Sequence, residues 1–553
     1  MKNKKLFLIP FIALIIASCG TKPSTPSSNI PSSDVSVSSE NSTSSKENSS
    51  SKESSKESSS SEEKSSSSEI SSSSEASSSS ESSSSSEQSS SSEQSSSSES
   101  SSSSEVPVED NYVDLEIFAL NDTHGNAVDS DSGIGISKTT TLLKTYPKNA
   151  NNALYVSQGD MWQGGAESNA TKGKLMTDWM NQLNFTSMTV GNHEFDWGTS
   201  YVSSNAALAN FPFLGINVYS NSTNQRVDYL DPSTIINKNG AKIGIIGSIG
   251  DCYSSIAPSM VTDIYFKVGS ELTSLVVEEA TRLKNEEKCD FIIYSTHAGE
   301  DEYDTSISDY VDIVFEGHTH QNYITTDSKG VYHIQSAGYN KTINYIDLTI
   351  NTTKDTFVIN KTKSIYTSDY SSYVKDATTE ALFTKYASEI NAVDEVLGYN
   401  YRNRNSTYLR NLVAQLYLEK GLEKWGSTYD IVLGGGYISC RSPYNLYEGD
   451  VVYSQLYTLF PFDNKLQLCY LTGYYLYYKF INTDNTNYFN AYSSYGEVVA
   501  NDIDMNATYY VVVDSYTSEY APNHLTVVED YSADGYYARD CLADYARRGG
   551  FLD

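Results

Sequence analysis

The chain has 553 residues, too many for one typical domain, and 38% of them are hydrophobic, enough for a buried core. Its 70 acidic and 38 basic residues give a formal net charge of −32. That charge argues against a nucleic-acid polymer or an anionic membrane as an electrostatically held partner. A small charged ligand stays compatible with it, because metals or a local arginine cluster can override the overall field.

The N-terminus has the pattern of an export signal. Lysines in the first five residues precede an apolar run, residues 6–16, that is too short for a bilayer-spanning helix. The following IASCG resembles a bacterial lipobox, which implies lipidation of Cys19. We therefore expect residues 1–19 to be a lipoprotein signal peptide and the exported protein to be anchored on the outer face of the bacterial cell membrane. The alternative is an ordinary signal peptide with an incidental Cys19.

Residues 20–110 form a low-complexity segment of serine with interspersed glutamate. Such a segment has no apolar area to bury against the entropy cost of ordering, so we expect it to be disordered. It would serve as a tether that holds a folded body away from the membrane.

The remaining cysteines do not have the spacing of a disulfide framework or a zinc ribbon. They are Cys252, Cys289, Cys440, Cys469 and Cys541. We expect most of them to be small buried hydrophobic residues.

The folded part begins near Tyr112, and short apolar runs recur along it. These runs are VDLEIFAL, ALYVS, TSMTV, KIGIIGS, DFIIYS and VDIVFE. Near-continuous apolar character suits strands that are buried on both faces. Helix-like segments at residues 173–183 and 270–287 lie between some of the runs. The order predicts a layered α/β architecture.

Polar motifs follow most of these strands. The motifs are DTHG at 122–125, QGD at 158–160, GNHE at 191–194, TH at 296–297 and GHTH at 317–320. They contain five of the seven histidines of the chain. Because open α/β sheets bind ligands at the carboxyl ends of their strands, we expect these motifs to meet at one site.

Aspartate, asparagine and histidine side chains without thiolates favour hard or borderline divalent ions such as Mn²⁺, Zn²⁺, Co²⁺ or Fe²⁺. Each motif alone is weak evidence, since a histidine after a strand is more often a structural residue. The ordered series D-x-H, G-D, G-N-H-[DE], H, G-H-x-H, however, closely resembles the calcineurin-like metallophosphoesterases.

This resemblance implies a four-layer α/β-β/α sandwich over residues 111–360 and a centre of two divalent ions. The implied ligands are Asp122, His124 and His320 for one ion, Asn192, His297 and His318 for the other, and Asp160 as the bridge. Two such ions share a hydroxide that attacks the phosphate in line, so no protein nucleophile is needed. The identity of the metals stays open.

The resemblance also assigns a catalytic pair. His193 would face the substrate and stabilise the developing charge or protonate the leaving group, and Asp196 would orient its ring. Glu194 is expected outside the set of metal ligands, as a solvated acid or one that supports the ligands.

Residues 361–396 have apolar residues at helical spacing and predict a connector helix. Residues 397–553 resemble the C-terminal substrate-binding domain of 5'-nucleotidases, a smaller α/β domain. The stretches that carry this resemblance are YRNRNSTYLRNLVAQLY, DIVLGGGYISCRSPY, EGDVVYSQLYTLFPFDNKLQLCYLTG and YYVVVDSY. Together with the metal motifs, they identify the chain as similar to bifunctional metallophosphatase/5'-nucleotidases.

The second domain would have to hold the leaving group. The implied substrate-binding residues are Arg402, Arg441, Gly435, Gly436, Phe462 and Tyr516. The arginines would bind phosphate or ribose oxygens, the aromatic pair would sandwich a base, and the glycines would let backbone approach the ligand or simply form a turn. The family's N-G-G-G-I-R is replaced by LGGGYISCR, and its G-G-D-G is absent, which leaves the base and ribose contacts open.

These observations predict a surface-anchored metal-dependent phosphoric ester hydrolase that dephosphorylates extracellular nucleotides. A 2',3'-cyclic nucleotide phosphodiesterase and a UDP-sugar hydrolase are alternatives within the same family. A non-catalytic nucleotide- or ligand-binding lipoprotein is the alternative of another class, which the intact set of metal ligands disfavours. The oligomeric state stays open.

Overall fold

The computed structural model describes residues 109–130, 133–481, 489–493, 496–497, 503–531 and 536–552. The predicted signal peptide, Cys19 and nearly all of the predicted tether lie outside these ranges. Within them, no helix combines the length and the apolar character needed to span a bilayer.

The first half of the folded part contains fourteen strands and five α-helices. The strands are β1 (Tyr112–Leu120), β2 (Ala153–Ser157), β3 (Ser187–Thr189), β4 (Phe213–Leu214), β5 (Val218–Ser220), β6 (Ser233–Lys238), β7 (Ala241–Ile249), β8 (Ile264–Phe266), β9 (Phe291–His297), β10 (Ile313–Glu316), β11 (Tyr323–Thr326), β12 (Tyr332–Gln335), β13 (Thr342–Asn351) and β14 (Thr356–Tyr366). The helices are α1 (Ile136–Thr145), α2 (Ala166–Ala170), α3 (Lys174–Leu183), α4 (Thr199–Leu208) and α5 (Ser270–Asn285). The helices predicted at 173–183 and 270–287 are thereby confirmed.

Two six-stranded sheets stack face to face. Their strand orders are β14-β13-β1-β2-β3-β4 and β11-β12-β10-β9-β7-β6. The pairs β1/β2, β2/β3, β7/β9 and β9/β10 are parallel, so their carboxyl ends lie at the same edge. That edge carries the polar motifs.

The sequence of β1 explains why both faces of its sheet are covered. Leu115 and Ile117 point into the core between the sheets, where they meet Phe291 and Ile293 of β9. Because strand side chains alternate, Phe118 points to the other face, toward α1 and α3. Burying each such side chain stabilises the fold by roughly 1.5–3 kcal/mol. Helix α5 covers the outer face of the second sheet, which confirms the predicted four-layer α/β sandwich.

The connector differs from the single helix expected over 361–396. Residues up to Tyr366 belong to β14, which pairs with β13. Three short helices follow, α6 (Thr367–Tyr370), α7 (Ala377–Lys385) and α8 (Ala387–Asn391). Hairpin pairing with the preceding strand β13 overrode the local helical pattern, because the alternating run NKTKSIY also fits an edge strand.

The second half contains the strands β15 (Val396–Asn400), β16 (Arg404–Asn405), β17 (Ile431–Tyr437), β18 (Asn445–Leu446), β19 (Gly449–Val452), β20 (Leu466–Thr472), β21 (Phe489–Ser493), β22 (Gly496–Glu497), β23 (Thr508–Asp514) and β24 (Thr526–Asp530). Its helices are α9 (Ser406–Trp425), α10 (Tyr453–Leu459), α11 (Gly473–Tyr475), α12 (Ser515–Tyr520) and α13 (Asp540–Arg547). A six-stranded sheet, β22-β21-β17-β23-β20-β24, forms its centre, and α9 and α13 pack on one face. The five cysteines after Cys19 are buried and unpaired, as expected for small hydrophobic residues.

Candidate metal centre and substrate cavity

The predicted metal ligands lie in loops that leave the carboxyl ends of five parallel-paired strands. Five of these residues have a left-handed backbone, with φ of 50° at Asp122, 47° at His124, 54° at Asp160, 72° at His318 and 57° at His320. Such a conformation costs of the order of 1–3 kcal/mol for a residue other than glycine and persists where the surroundings enforce it. Strain of this kind concentrated in one place is typical of a functional site.

Backbone carbonyls fix the rings of two histidines. The Nδ1–H of His124 donates to the carbonyl of Gln163 at 3.0 Å, and the Nδ1–H of His297 donates to the carbonyl of Gln158. A carbonyl oxygen can only accept, so Nδ1 carries a proton in both rings and Nε2 is the nitrogen left to face a metal. This is the usual way in which a metal-binding histidine is oriented. Burial opposes protonation of His297, but Asp160 outweighs it and raises the pKa of this histidine to about 10, so a metal at its Nε2 would displace a proton.

The remaining ligand atoms converge. His124 Nε2 lies 2.9 Å from His320 Nε2, and His320 Nε2 lies 3.3 Å from Asp122 Oδ1. His297 Nε2 lies 3.2 Å from Asp160 Oδ2. Potential ligand atoms of Asp122, Asp160 and His297 all lie within 4.8 Å of one another, as do those of Asp122, His124 and His320. The two groups share Asp122, and Asp160 is also close to His124 and His193.

Unsatisfied atoms in this cluster fit divalent cations. Asn192 Oδ1 is buried and has no hydrogen-bond partner among the described residues. Asp122 Oδ1 and His297 Nε2 are also buried and make no hydrogen bond there, despite their short contacts with His320 and Asp160. A buried polar group without a partner costs about 1–3 kcal/mol, so a cation that accepts these lone pairs would remove a penalty.

The charges in the cluster also suit cations. Burial and repulsion from His320 hold the pKa of His124 well below its usual range, and burial and His297 lower the pKa of His318 to about 4. Both rings are therefore neutral at pH 7, the form that binds metals. Burial opposes ionisation of Asp160, but the neighbouring His297 and His193 outweigh it and hold its pKa well below the usual range.

Glu194 has a more definite place than the sequence indicated. Its side chain is completely buried and accepts hydrogen bonds from the backbone N–H groups of Asp160, Met161 and Gly191 at 2.8, 2.8 and 2.7 Å. The carboxylate thus ties the loop of Asp160 to the loop of Asn192. The expectation of a solvated acid was wrong, and the expectation of a residue that supports the ligands matches the geometry.

The pair His193 and Asp196 lies beside these ligands. The Nδ1–H of His193 donates to Asp196 Oδ2 at 2.6 Å, and Arg441 Nη2 approaches His193 Nε2 at 2.9 Å. Burial lowers the pKa of His193, but the carboxylates of Asp196 and Asp160 outweigh it and raise that pKa above its usual value. An arginine of the second half therefore reaches the centre of the first half.

A cavity of about 320 Å³ opens from this point between the two halves. It is lined by Asp160, Asn192 and His193 on one side and by Phe462 and Tyr516 on the other. The Phe462 ring lies 5.9 Å from the His193 ring and 5.2 Å from the Arg441 guanidinium. The structure thus brings three of the six predicted substrate-binding residues to one cavity.

Arg402 is not one of them. It is exposed in the turn between β15 and β16 and does not line the cavity. The neighbouring Arg404 is the buried arginine of this segment, and it donates to Asn400 and stacks on Tyr408. The expectation for Arg402 is therefore corrected, because the short β16 turns Arg404 inward and leaves Arg402 in solvent.

Gly435 and Gly436 also have another role than predicted. Both lie within β17, and a side chain at Gly435 would come within 2.2 Å of the carbonyl oxygen of Asn490 in β21. Gly436 has φ of 152° and lies against Thr517 of α12. These glycines allow strands and a helix to pack closely, whereas Tyr437, Ile438 and Ser439 beyond them line the cavity.

Reasoning from the sequence did not identify three residues that stabilise this region. Lys172 of the first half forms an ion pair with Asp463, and Arg539 Nη2 binds the other oxygen of that carboxylate at 2.7 Å. Arg539 Nη1 also donates to the carbonyl of Phe462 at 2.8 Å. The triad holds the Phe462 loop. Asp463 lies in a stretch that carries the resemblance, but Lys172 and Arg539 are far from it in sequence and belong to none of the quoted motifs.

Comparison with known proteins agrees with this geometry. Residues 115–322 match the sequence profile of the calcineurin-like phosphoesterases. The chain contains a calcineurin-like phosphoesterase domain. This domain carries all seven predicted metal ligands and both residues of the His193–Asp196 pair.

The chain is similar in sequence to proteins named UshA and 5'-nucleotidase. Protein UshA of Yersinia enterocolitica is 34% identical over 197 residues, which are 34% of this chain and 35% of that protein. A 5'-nucleotidase of Vibrio cholerae is 31% identical over 191 residues, 34% of each chain. The matches therefore span about a third of the length of these relatives.

The fold is shared over a longer range. The crystal structure of a 5'-nucleotidase precursor from Thermus thermophilus superposes with a TM-score of 0.64 at 18% identity, over 79% of this chain and 96% of that one. Both halves of the described chain therefore have the fold of that two-part protein.

Proposed function

We propose that this chain is a two-metal phosphohydrolase of the 5'-nucleotidase type, which removes the phosphate from nucleotides. The observation that supports it most is the junction of the ligand cluster, the His193–Asp196 pair and Arg441 with a cavity that is lined by two aromatic rings. The names of the relatives support the nucleotide as substrate.

We assign Asp122, His124 and His320 to one ion, Asn192, His297 and His318 to the other, and Asp160 to both. Divalent cations bound there would supply Lewis acidity toward water and toward the phosphate oxygens. The donor set lacks thiolates and is compatible with Mn²⁺, Zn²⁺, Co²⁺ or Fe²⁺.

The side chains around the cluster would bind the phosphate, protonate the leaving group and hold the base. The planar guanidinium of Arg441 is suited to grip two phosphate oxygens. Asp196 holds the His193 ring so that Nε2 faces the cavity, where it accepts from Arg441. Once a substrate phosphate draws the guanidinium away, Nε2 would be free to carry a proton and pass it to the leaving oxygen. Phe462 and Tyr516 would hold the base by stacking, which tolerates different bases.

We further propose that the protein is exported and lipid-anchored through Cys19. This rests on the basic start, the apolar run and the lipobox-like IASCG. Inhibiting lipoprotein signal peptidase in the producing cells should block processing, and unchanged processing would contradict the anchor.

The substrate is tested with the purified full chain, stripped of metal and resupplied with Mn²⁺ or Zn²⁺. Phosphate release is measured from AMP, UDP-glucose, 2',3'-cyclic AMP and p-nitrophenyl phosphate. Preference for AMP supports the 5'-nucleotidase assignment. Equal release from p-nitrophenyl phosphate would leave a phosphohydrolase without nucleotide specificity, and no release with any metal would favour the non-catalytic binding protein.

A further inference from the structure

A second cavity, of about 230 Å³, meets the first one at the reaction centre. The two cavities share Gln163 and Arg441 as lining residues. Beyond these two residues their walls differ, and the second cavity also touches His124. A phosphate at the proposed metal centre would therefore have space for a substituent in each of two directions.

The wall of the second cavity is mostly uncharged and apolar. It includes Ala127, Val128 and Ala166 of the first half and Pro443, Leu446 and Leu459 of the second. Among the described lining residues, Arg441 is the one basic side chain and Glu167 the one acid. A second phosphate would meet no further cation there, whereas an aromatic or aliphatic group would bury apolar surface.

Gln163 lies at the boundary between the cavities and has an unused hydrogen-bond donor. Its side chain is 1% exposed, and its Nε2 has no hydrogen-bond partner among the described residues. Its own carbonyl accepts the Nδ1–H of His124, which fixes the residue beside a proposed metal ligand. An unpaired buried amide N–H costs about 1–3 kcal/mol, so an ester or phosphate oxygen of a substrate would gain by accepting it.

Tyr339 completes the wall in a strained conformation. Its φ is 62°, unusual for a bulky residue, and its ring lies 5.1 Å from the His124 ring. Tyr339 and His124 both line the cavity, so the strained backbone keeps an aromatic side chain beside the proposed ligand, where it adds apolar surface to the wall.

We propose that the second cavity binds the second ester group of a phosphodiester, an uncharged aromatic or apolar alcohol, while the leaving group occupies the first cavity. The proposal rests on the phosphohydrolase function proposed above. Neither alternative from the sequence would use this cavity. The two ester oxygens of a 2',3'-cyclic nucleotide belong to one ribose, and the second group of a nucleotide sugar is a charged phosphate.

The reaction would be an ordinary hydrolysis. Water adds to phosphorus, the P–O bond to the alcohol in the first cavity breaks, and that alcohol leaves with a proton. The product is a phosphomonoester that retains the group in the second cavity.

The test compares bis(p-nitrophenyl) phosphate with p-nitrophenyl phosphate as substrates of the full chain in Mn²⁺, by release of p-nitrophenolate. Val128→Trp narrows the second cavity from its rim, where Val128 is 40% exposed. We expect kcat/KM for the diester to fall about tenfold relative to the monoester, equivalent to one lost contact of about 1.4 kcal/mol. Val358→Trp, exposed on β14 and outside both cavities, is the matched control and should leave the ratio unchanged.

A second variant distinguishes the loss of a cavity contact from a folding defect of the first variant. Tyr447→Ala removes a half-exposed ring from the cavity wall and should lower the same ratio. The proposal is overturned if the wild-type chain hydrolyses the monoester but not the diester, or if both cavity variants leave the ratio unchanged. Release from AMP but from neither p-nitrophenyl substrate would overturn this proposal alone, and no release from AMP either would overturn the phosphohydrolase function with it.

Discussion

Glu194 illustrates what single residues add to the metal centre. Its buried carboxylate joins the loops of Asp160 and Asn192 through three backbone N–H groups. Glu194→Gln places an amide N–H against one of these donors, so the loops should separate slightly. Because groups that orient ligands typically change metal affinity by about 10–100-fold, we expect Mn²⁺ binding to weaken by that factor in calorimetric titration.

Glu116 offers a matched control for that variant. It is also buried and accepts backbone N–H groups, those of Lys148 and Asn149, but away from the ligand cluster. Glu116→Gln should lower the melting temperature and leave the Mn²⁺ affinity unchanged. Equal Mn²⁺ affinities in the two variants would show that Glu194 is a structural residue only.

His193 makes a second prediction at this scale. His193→Ala removes the proposed proton donor, so phosphate release from AMP should fall by about 10²–10⁴-fold. Asp196→Asn keeps the ring and should cost less. Mn²⁺ affinity, measured in parallel, should stay close to that of the wild type. Full turnover of His193→Ala would remove the assigned role.

Short motifs predicted the residues of the metal cluster because each motif follows its own strand. The face-to-face stacking of the two sheets then brings the motif of Asp122, after β1, beside that of His320, after β10 and 198 residues later. The local sequence does not show that Arg404 rather than Arg402 turns inward, or that Gly435 and Gly436 pack against β21 and α12. Arg539 could not be found at all, since its contact with Phe462 depends on tertiary packing alone.

At the scale of elements, a charged residue caps the N-terminus of α7, the longest helix of the connector. Asp376 accepts the backbone N–H groups of Thr378 and Thr379 at the start of α7 and pairs with Lys144 of α1 at 2.8 Å. Burial opposes ionisation of Asp376, but these hydrogen bonds outweigh it and lower the pKa to about 2. The cap therefore also fastens the connector to the phosphoesterase domain.

This cap predicts a pH dependence. The folded pKa lies below the unfolded value of about 3.9, so the stabilisation is complete above that pH and is lost as the pH falls toward the folded pKa. Asp376→Ala should lower the free energy of unfolding by about 1 kcal/mol at pH 7 and by less at pH 3. Asp309→Ala, which removes an exposed ion pair with Lys329, is the control. It should change the free energy of unfolding, measured by calorimetry, very little at either pH. An Asp376→Ala effect that is as large at pH 3 as at pH 7 would contradict the charged cap.

The sequence predicted where several strands lie, but it did not predict which segments pair with each other. Apolar runs locate β1, β2, β9 and β10 because burial on both faces demands them. The connector could not be foreseen, since residues 361–366 pair with β13 rather than continue into a helix. Local periodicity does not distinguish the end of a hairpin strand from the start of a helix where both patterns fit.

At the scale of the whole molecule, an ion pair joins the halves at the Phe462 end of the cavity. Lys172 Nζ lies 2.5 Å from Asp463 Oδ2, and both side chains are largely buried. Lys172→Met should loosen the Phe462 loop against the phosphoesterase domain. We expect KM for AMP to rise about tenfold, equivalent to about 1.4 kcal/mol, with kcat for p-nitrophenyl phosphate little changed. Lys148→Met, which breaks a pair with Asp347 outside the cavity, is the control. If Lys172→Met lowered kcat/KM equally for AMP and for p-nitrophenyl phosphate, this role would be contradicted.

The central claim is that the ligand cluster binds two cations that the reaction requires. The most direct measurement titrates the metal-stripped full chain with Mn²⁺ while bound metal and phosphate release from AMP are followed together. We predict that release rises with occupancy and levels off at about two ions per chain, as in two-metal phosphohydrolases. Undiminished release by the stripped chain in excess chelator, or none at full occupancy, would contradict the account.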